Sequence, residues 1–306
     1  MKRGLKRQRG VAVVTALLLT TLAVTIVASL FWQQQVQVRS VENQRLHLQT
    51  RWILRGALDW ARLILRQDGL DNPSVTRADG VWATPLAETR LDQYVERERV
   101  EGEDYDATLQ GQIVDAQSRY NLSNLADRAG AIDQKETRAF QQLLTLLQLD
   151  GNLAQAAAQQ VAKAAQAKAQ QGSSAPMPVQ RLEDLLVAGF PQAAVERLRE
   201  YVVVLPRGQG VNLNTAPAEV IAALFEGMPL SEAQSAVTRR KGAPIMNAAD
   251  IAGSHAVLGL AAARSDYFLV LSQVRLDRAA LESWALIKRE SQQDGYRTSL
   301  VWIREI

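Results

Sequence analysis

The 306-residue chain contains no cysteine and only two histidines. Without cysteine there is no disulfide, thiolate metal site, thioether-linked lipid or cysteine nucleophile. His47 and His255 each lack a partner at metal-ligand spacing, which argues against a histidine-built metal centre. Gly172-Ser173-Ser174 lacks the Gly-x-Ser-x-Gly spacing and any preceding strand, so it is no hydrolase elbow. Carboxylates are plentiful, but nothing singles out one pair for acid–base work. The chain reads as a non-enzyme. What it does have is 47% apolar and 22% charged residues, the balance of a folded protein with a substantial core. Its 35 Lys and Arg exceed its 32 Asp and Glu, so the location of the excess decides whether nucleic acid is a plausible partner.

The excess sits at the N-terminus. Lys2, Arg3, Lys6, Arg7 and Arg9 fall within ten residues that hold no acid, and the next ionisable side chain is Arg39. Between them, 11–32 is an apolar run of 22 residues without Gly or Pro, interrupted only by threonines and Ser29. As a helix it spans ~33 Å, enough for a hydrocarbon core of ~30 Å. Its hydroxyls can bond back to the helix's own carbonyls. The basic leader places the N-terminus in the cytoplasm and the bulk of the chain outside. A cleaved secretory signal fits poorly, because the run is too long and Ser29-Leu30-Phe31 is a weak cleavage site. A plain signal anchor remains open. So does a third reading: a short basic leader ending in Gly10 resembles the leader of type IV pilins and pseudopilins. In that family a membrane-embedded peptidase cuts after the Gly, here between Gly10 and Val11. Most such proteins carry Glu as the fifth mature residue, and this chain has Thr15. With the leader removed, 30 basic residues face 32 acidic ones, a net charge of −2, and the nucleic-acid argument from charge disappears.

Beyond the apolar run, 33–66 has no Pro and a single Gly, and Ile53, Ala57, Trp60 or Ala61, and Ile64 recur at helical spacing. The spacing predicts one helix over 11–66. Turn residues crowd 68–89, and strands are expected at 94–100 and 107–114. Between those strands lies an acidic turn at 101–106, either a calcium site or a solvated hairpin tip. Helices are expected over 134–149 and 153–171; the second, 15 of 19 residues Ala or Gln, reads as a mobile surface excursion with little to pack. Shorter helices follow at 179–188, 191–201, 218–225 and 231–239, and strands close the chain at 267–276, 281–289 and 298–306. Strands, then helices, then strands again describe a helical domain inserted into a sheet domain.

The stretch Asn212-Leu213-Asn214-Thr215-Ala216 and the helix after it resemble helix-hairpin-helix modules, some of which bind DNA. Its hairpin reads Glu226-Gly227-Met228-Pro229, where Pro229 has no N–H to offer phosphate and Glu226 repels it. A helical packing unit with asparagines holding its turns is the better reading.

The Gly10 junction, Thr15, the length of the chain and the helical insert together resemble the K-type minor pseudopilin family of the bacterial type II secretion system. Asp115 with Arg119-Tyr120-Asn121-Leu122-x-x-Leu125 is similar to one family signature, and 211–224 to a second. The resemblance implies an α+β fold. It has a long N-terminal helix, transmembrane then amphipathic, an antiparallel pilin-like sheet and a large all-α domain inserted in the sheet domain. The division it implies is a leader over 1–10, a membrane helix over 11–32 and its amphipathic continuation over 33–66. A sheet domain then comprises 67–120 and 260–306, around a helical insert at 121–259. It further implies a single-pass inner-membrane subunit, trimmed by prepilin peptidase and methylated, with its bulk in the periplasm. Expected partners are I-type and J-type minor pseudopilins, the major pseudopilin and membrane lipid, with no nucleic acid; the role is at the pseudopilus tip. Some members bind calcium in the sheet domain, and Glu101, Glu103, Asp104, Asp106, Asp266 and Asp277 are the candidate ligands here. A signal-anchored periplasmic binding protein is the alternative, and a DNA-binding protein a more distant one.

Overall fold

The computed structural model describes residues 9–91, 107–170, 179–293 and 295–305. Helix α1 runs unbroken over Arg9–Asp71, 63 residues and ~95 Å. It stops where Asn72-Pro73 follows, because a residue before proline is driven out of the helical region. In the first half of α1, the described side chains are exposed, including Trp32 at 71%. In the second half Leu54, Leu58, Ala61 and Leu65 are buried, with Ile53, Ala57 and Ile64 flanking them. The buried seam is thus centred one residue beyond the expected stripe, and Trp60 stays half exposed.

Strands β1 (Leu86–Arg90) and β2 (Ala107–Asp115) come next, and the chain returns to the same sheet only much later. Between lie the pair β3 (Tyr120–Asn121), helices α2 (Gln134–Leu146) and α3 (Leu153–Gln170), a 3-10 turn over Leu182–Ala188, and α4 (Gln192–Leu198). Strands β4 (Val202–Val203) and β5 (Val211–Asn212), helices α5 (Ala218–Ala223), α6 (Leu230–Arg239) and α7 (Ala249–Ala252), and β6 (Ala261–Ala262) complete this part. Strands β7 (Tyr267–Leu276), β8 (Ala279–Gln292) and β9 (Gly295–Glu305) then finish an antiparallel sheet of order β1-β2-β7-β8-β9. Neighbouring β2 and β7 are therefore separated in sequence by residues 116–266. The expected strand over 94–100 lies outside the described residues.

One face of the sheet receives α1 through Leu109, Phe268, Val270, Ala285 and Ile287, with Trp82 edge-on to Phe268. The intervening helices have a larger core of their own, built on Leu122, Leu125, Phe140, Leu143, Leu144, Val220 and Phe225. Helix α3 corrects the expectation of a loose excursion. Ala154, Ala157, Ala158 and Ala162 are buried in that core, and the missing bulk of alanine is what lets α3 lie close to α2. A smaller cluster of Val203, Leu205, Tyr267, Leu269 and Leu286 joins the helical part to the far face of the sheet.

Candidate assembly site: the N-terminal helix and a polar junction

Along the apolar run, Thr15 Oγ1 donates to Ala12 O, Thr20 to Leu17 O, Thr21 to Leu18 O and Thr25 to Thr21 O. Each of these hydroxyls is satisfied within its own turn, which leaves the segment with an apolar outer surface suited to lipid. Of the processing pair, Gly10 and Val11 lie inside the helical backbone near its start.

Contacts along α1 order the sheet beneath it. Arg278, in the β7–β8 turn, pairs with Glu42; Arg51 pairs with Glu305; Arg62 Nη2 donates to Thr298 O; and Arg289 reaches Leu65 O and Asp68. The end of the sheet carrying Asp115 and Tyr267 therefore lies beside the C-terminal end of α1, farthest from the apolar run. The helical insertion leaves and re-enters at that end.

A buried polar network closes the junction. Asp115 accepts four hydrogen bonds: Oδ1 from Gln117 N at 2.8 Å, and Oδ2 from Asn212 Nδ2 at 3.0 Å, Thr215 Oγ1 at 2.6 Å and Ser265 Oγ at 2.5 Å. Burial pushes its carboxyl above the ordinary carboxylate range, and these four donors pull back against that shift. Asn212 also donates to Thr76 O, tying the insertion to the loop after α1. Arg289, fully buried, donates to Leu65 O, Asp68 Oδ2, Thr76 Oγ1 and Ser265 O, with its guanidinium over Phe268. One cation thus joins the helix, the loop and the returning strand.

The asparagines of both signature stretches serve as backbone braces. Asn121 accepts from Leu205 N and donates to Pro206 O; Asn124 accepts from Gly208 N and donates to Gln209 O. Asn214 accepts from Ile245 N and donates to Ile245 O. Tyr120, stacked on Phe140, donates to Glu136, whose other oxygen accepts from Leu260 N. Burial raises both the Glu136 carboxyl and the Tyr120 phenol. Sequence reading foresaw Asn212 and Asn214 as turn-holders, but neither the bracing role of Asn121 and Asn124 nor the partners of Asp115, because Asn212, Thr215 and Ser265 are brought to it only by the fold.

The hairpin between α5 and α6 is engaged with protein. Glu226 N donates to Ala256 O, Gly227 N to Gln142 Oε1, and Glu226 pairs with Arg138. In the basic run at the end of α6, Arg240 donates to Leu213 O and Ala216 O, and Arg239 to Asp250 O. His255 bridges Glu226 O and Glu232, contacts that hold its imidazole above the ordinary histidine value.

Of the calcium candidates, Glu101, Glu103, Asp104 and Asp106 lie outside the described residues. Asp266 and Asp277 flank β7 at opposite ends, roughly 35 Å apart at ~3.3 Å per residue, so they cannot share an ion. Asp266 instead pairs with Arg264 at 3.2 Å. Among the described residues no three acidic or histidine groups converge as metal ligands.

A membrane-length helix whose continuation packs on an antiparallel sheet, with a helical insertion at the far end, defines a subunit of the pseudopilin class. Residues 118–207 and 211–270 match two family models, both described as type II secretion system protein K. The chain belongs to that family of type II secretion minor pseudopilins. Both matches begin at the asparagine-rich stretches that brace the junction. Type II secretion system protein K of Pseudomonas aeruginosa is 27% identical, with 90% of this chain and 86% of that protein covered. The protein of the same name from Klebsiella pneumoniae is 25% identical over 98% of this chain and 99% of its own length. The fold is shared with a chain in the crystal structure of the GspK-GspI-GspJ complex from the enterotoxigenic Escherichia coli type 2 secretion system. There the TM-score is 0.61 and the identity 16%, over 87% of this chain and 98% of that one.

Proposed function

We propose that this minor pseudopilin caps the tip of the periplasmic pseudopilus and helps initiate its assembly for protein export across the outer membrane. The observation that carries this reading is the place of the insertion. It sits at the end of the sheet farthest from the apolar run, where it obstructs a further subunit above while leaving the sides of α1 free for neighbours. Thr15 supports the same reading. A tip subunit has no neighbour above whose N-terminal amine needs a carboxylate, and the Thr15 hydroxyl is bonded to Ala12 O in its own helix.

In this proposal prepilin peptidase cuts between Gly10 and Val11, the new N-terminus is methylated, and the helix anchors the subunit once in the inner membrane. The N-terminus faces the cytoplasm and the bulk of the chain the periplasm. Partners are the I-type and J-type minor pseudopilins, with the major pseudopilin below; the complex named in the related crystal structure favours the first two. Calcium is assigned to Glu101, Glu103, Asp104 and Asp106. Asp277 shares its end of the sheet with Ala107, which pairs with Leu276 and directly follows that segment. Hard oxygen ligands of this kind suit Ca²⁺. Chelation should then lower the melting temperature of the full chain by several degrees, and an unchanged melting temperature would count against the calcium assignment.

The test of the tip role is co-expression of the full chain with I-type and J-type pseudopilins from the same secretion operon. A stable three-component complex is expected, whereas binding to the major pseudopilin alone would sink the tip assignment.

A further inference from the structure

Helix α1 carries Arg51, Arg55, Arg62 and Arg66 on one face, within ~60° of arc at 100° per residue. Residues 33–66 hold six arginines against Glu42 and Asp59, a net of +4, while 67–306 holds 24 basic and 30 acidic residues, a net of −6. The charge is concentrated on the helix.

The structure lays this stripe along the edge strand β9. Between them runs a groove of about 530 Å³, lined by Arg62, Leu63, Arg66, Tyr296 and Arg297, with Asp59 as its one acid among the described residues. Asp59 is committed to Arg62 at 2.7 Å, and Glu305 to Arg51 at 3.0 Å. Arg55 lies over the exposed ring of Trp52, 5.1 Å from its centre. Arg66 and Arg297 form no ion pair with a described residue, and Glu290, across the strand pair from Arg297, is bonded to Lys288. The buried Arg62 Nε also has no acceptor. Guanidinium forks in this state suit carboxylates, which they bind through two parallel hydrogen bonds.

We propose that the arginine stripe of α1, together with Arg297 of β9, receives an acidic segment of a partner protein laid along this groove. Lipid headgroups are out of reach: Arg62 is 30 residues beyond Trp32, ~45 Å along the helix, and a tilt of ~40° still leaves ~34 Å. The inference rests on the pseudopilin-assembly reading above and names the charge chemistry of the partner.

The test uses the full chain co-expressed with its I-type and J-type pseudopilins, comparing wild type with Arg66→Glu/Arg297→Glu. Both side chains lie outside the buried core, and equal melting temperatures establish that the variant folds. At least tenfold weaker assembly is expected, with Arg66→Lys/Arg297→Lys largely restoring it and Arg128→Glu on the insertion having no effect. Assembly should also weaken between ~0.01 M and ~1 M salt, as the screening length falls from ~30 Å to ~3 Å. A wild-type complex indifferent to charge reversal and salt would overturn this inference while leaving the assembly reading intact. Failure of the wild type to assemble would instead strike the assembly reading. If reversal abolished self-association of the chain alone, or binding of a labelled DNA duplex, and spared the complex, the groove's occupant would be wrongly assigned.

Discussion

Asp115 and Arg289 show how a few buried polar groups hold two differently built parts together. Removing one member leaves the others without partners in a dry site, which is more damaging than losing a single hydrogen bond. Arg289→Ala, which strands Asp68, should destabilise the full chain by ~3–5 kcal/mol in chemical unfolding. A loss below ~1 kcal/mol would mean that water replaces the guanidinium at little cost. Glu136 gives the opposite case. Its carboxyl is raised by burial, so its contribution to stability is complete below the ordinary carboxylate value and is lost as pH rises through the raised one. In Glu136→Gln, Oε1 still accepts from Leu260 N, Nε2 donates to Tyr120, and the phenol turns to Glu136 O, already 3.0 Å away. The variant should be at least as stable as wild type at neutral pH and lose that part of the pH slope. A drop of more than ~1 kcal/mol would show that the charge itself is needed. His255 titrates with the usual sign for a raised imidazole: its stabilising contribution is full below the ordinary histidine value and fades as pH rises past the raised one. An NMR titration giving a value at or below ~6.5 would contradict the Glu226 and Glu232 contacts.

Helix α1 combines two kinds of surface in one element. Its first half needs only unbroken apolar residues and self-satisfied hydroxyls; its second half needs a seam against the sheet. Leu65→Ala, in the centre of that seam, should cost ~2–5 kcal/mol by thermal or urea unfolding, and a negligible change would mean that α1 does not hold the sheet. Gly56 lies on the outer side, where an added Cβ meets nothing within 4 Å. Gly56→Ala should therefore stabilise the isolated chain by ~0.5–1 kcal/mol, an expectation that a destabilised variant would refute. Elements of this kind were largely legible in the sequence, since an apolar run, a 3.6-residue period and Pro73 are local signals. Helix α3 was not. Alanine gives no amphipathic contrast strong enough to mark a buried face, and only the neighbouring α2 shows why small residues are there. The Asp115 partners were hidden for a different reason. Asn212 and Thr215 come from one distant stretch of the chain and Ser265 from another, and no spacing rule connects either to Asp115.

At the level of the whole molecule, the strand–helices–strand order gave away an insertion, and the first ten residues account for the basic excess. What the sequence left open was direction: which end of the sheet bears the insertion. The graded contacts from Glu42 to Asp68 along α1 settle that geometry and place the helical part beyond the end of the helix. The arginine stripe also became meaningful only once β9 and Arg297 were seen beside it. In the proposed function the basic leader is a temporary address, the helix the permanent anchor and the insertion the outward-facing end. The most direct test of that account is the N-terminal residue of the protein recovered from membranes of cells that express prepilin peptidase. Val11, methylated, is the predicted result, and a chain that retains Met1 or is cut beyond the apolar run would contradict it.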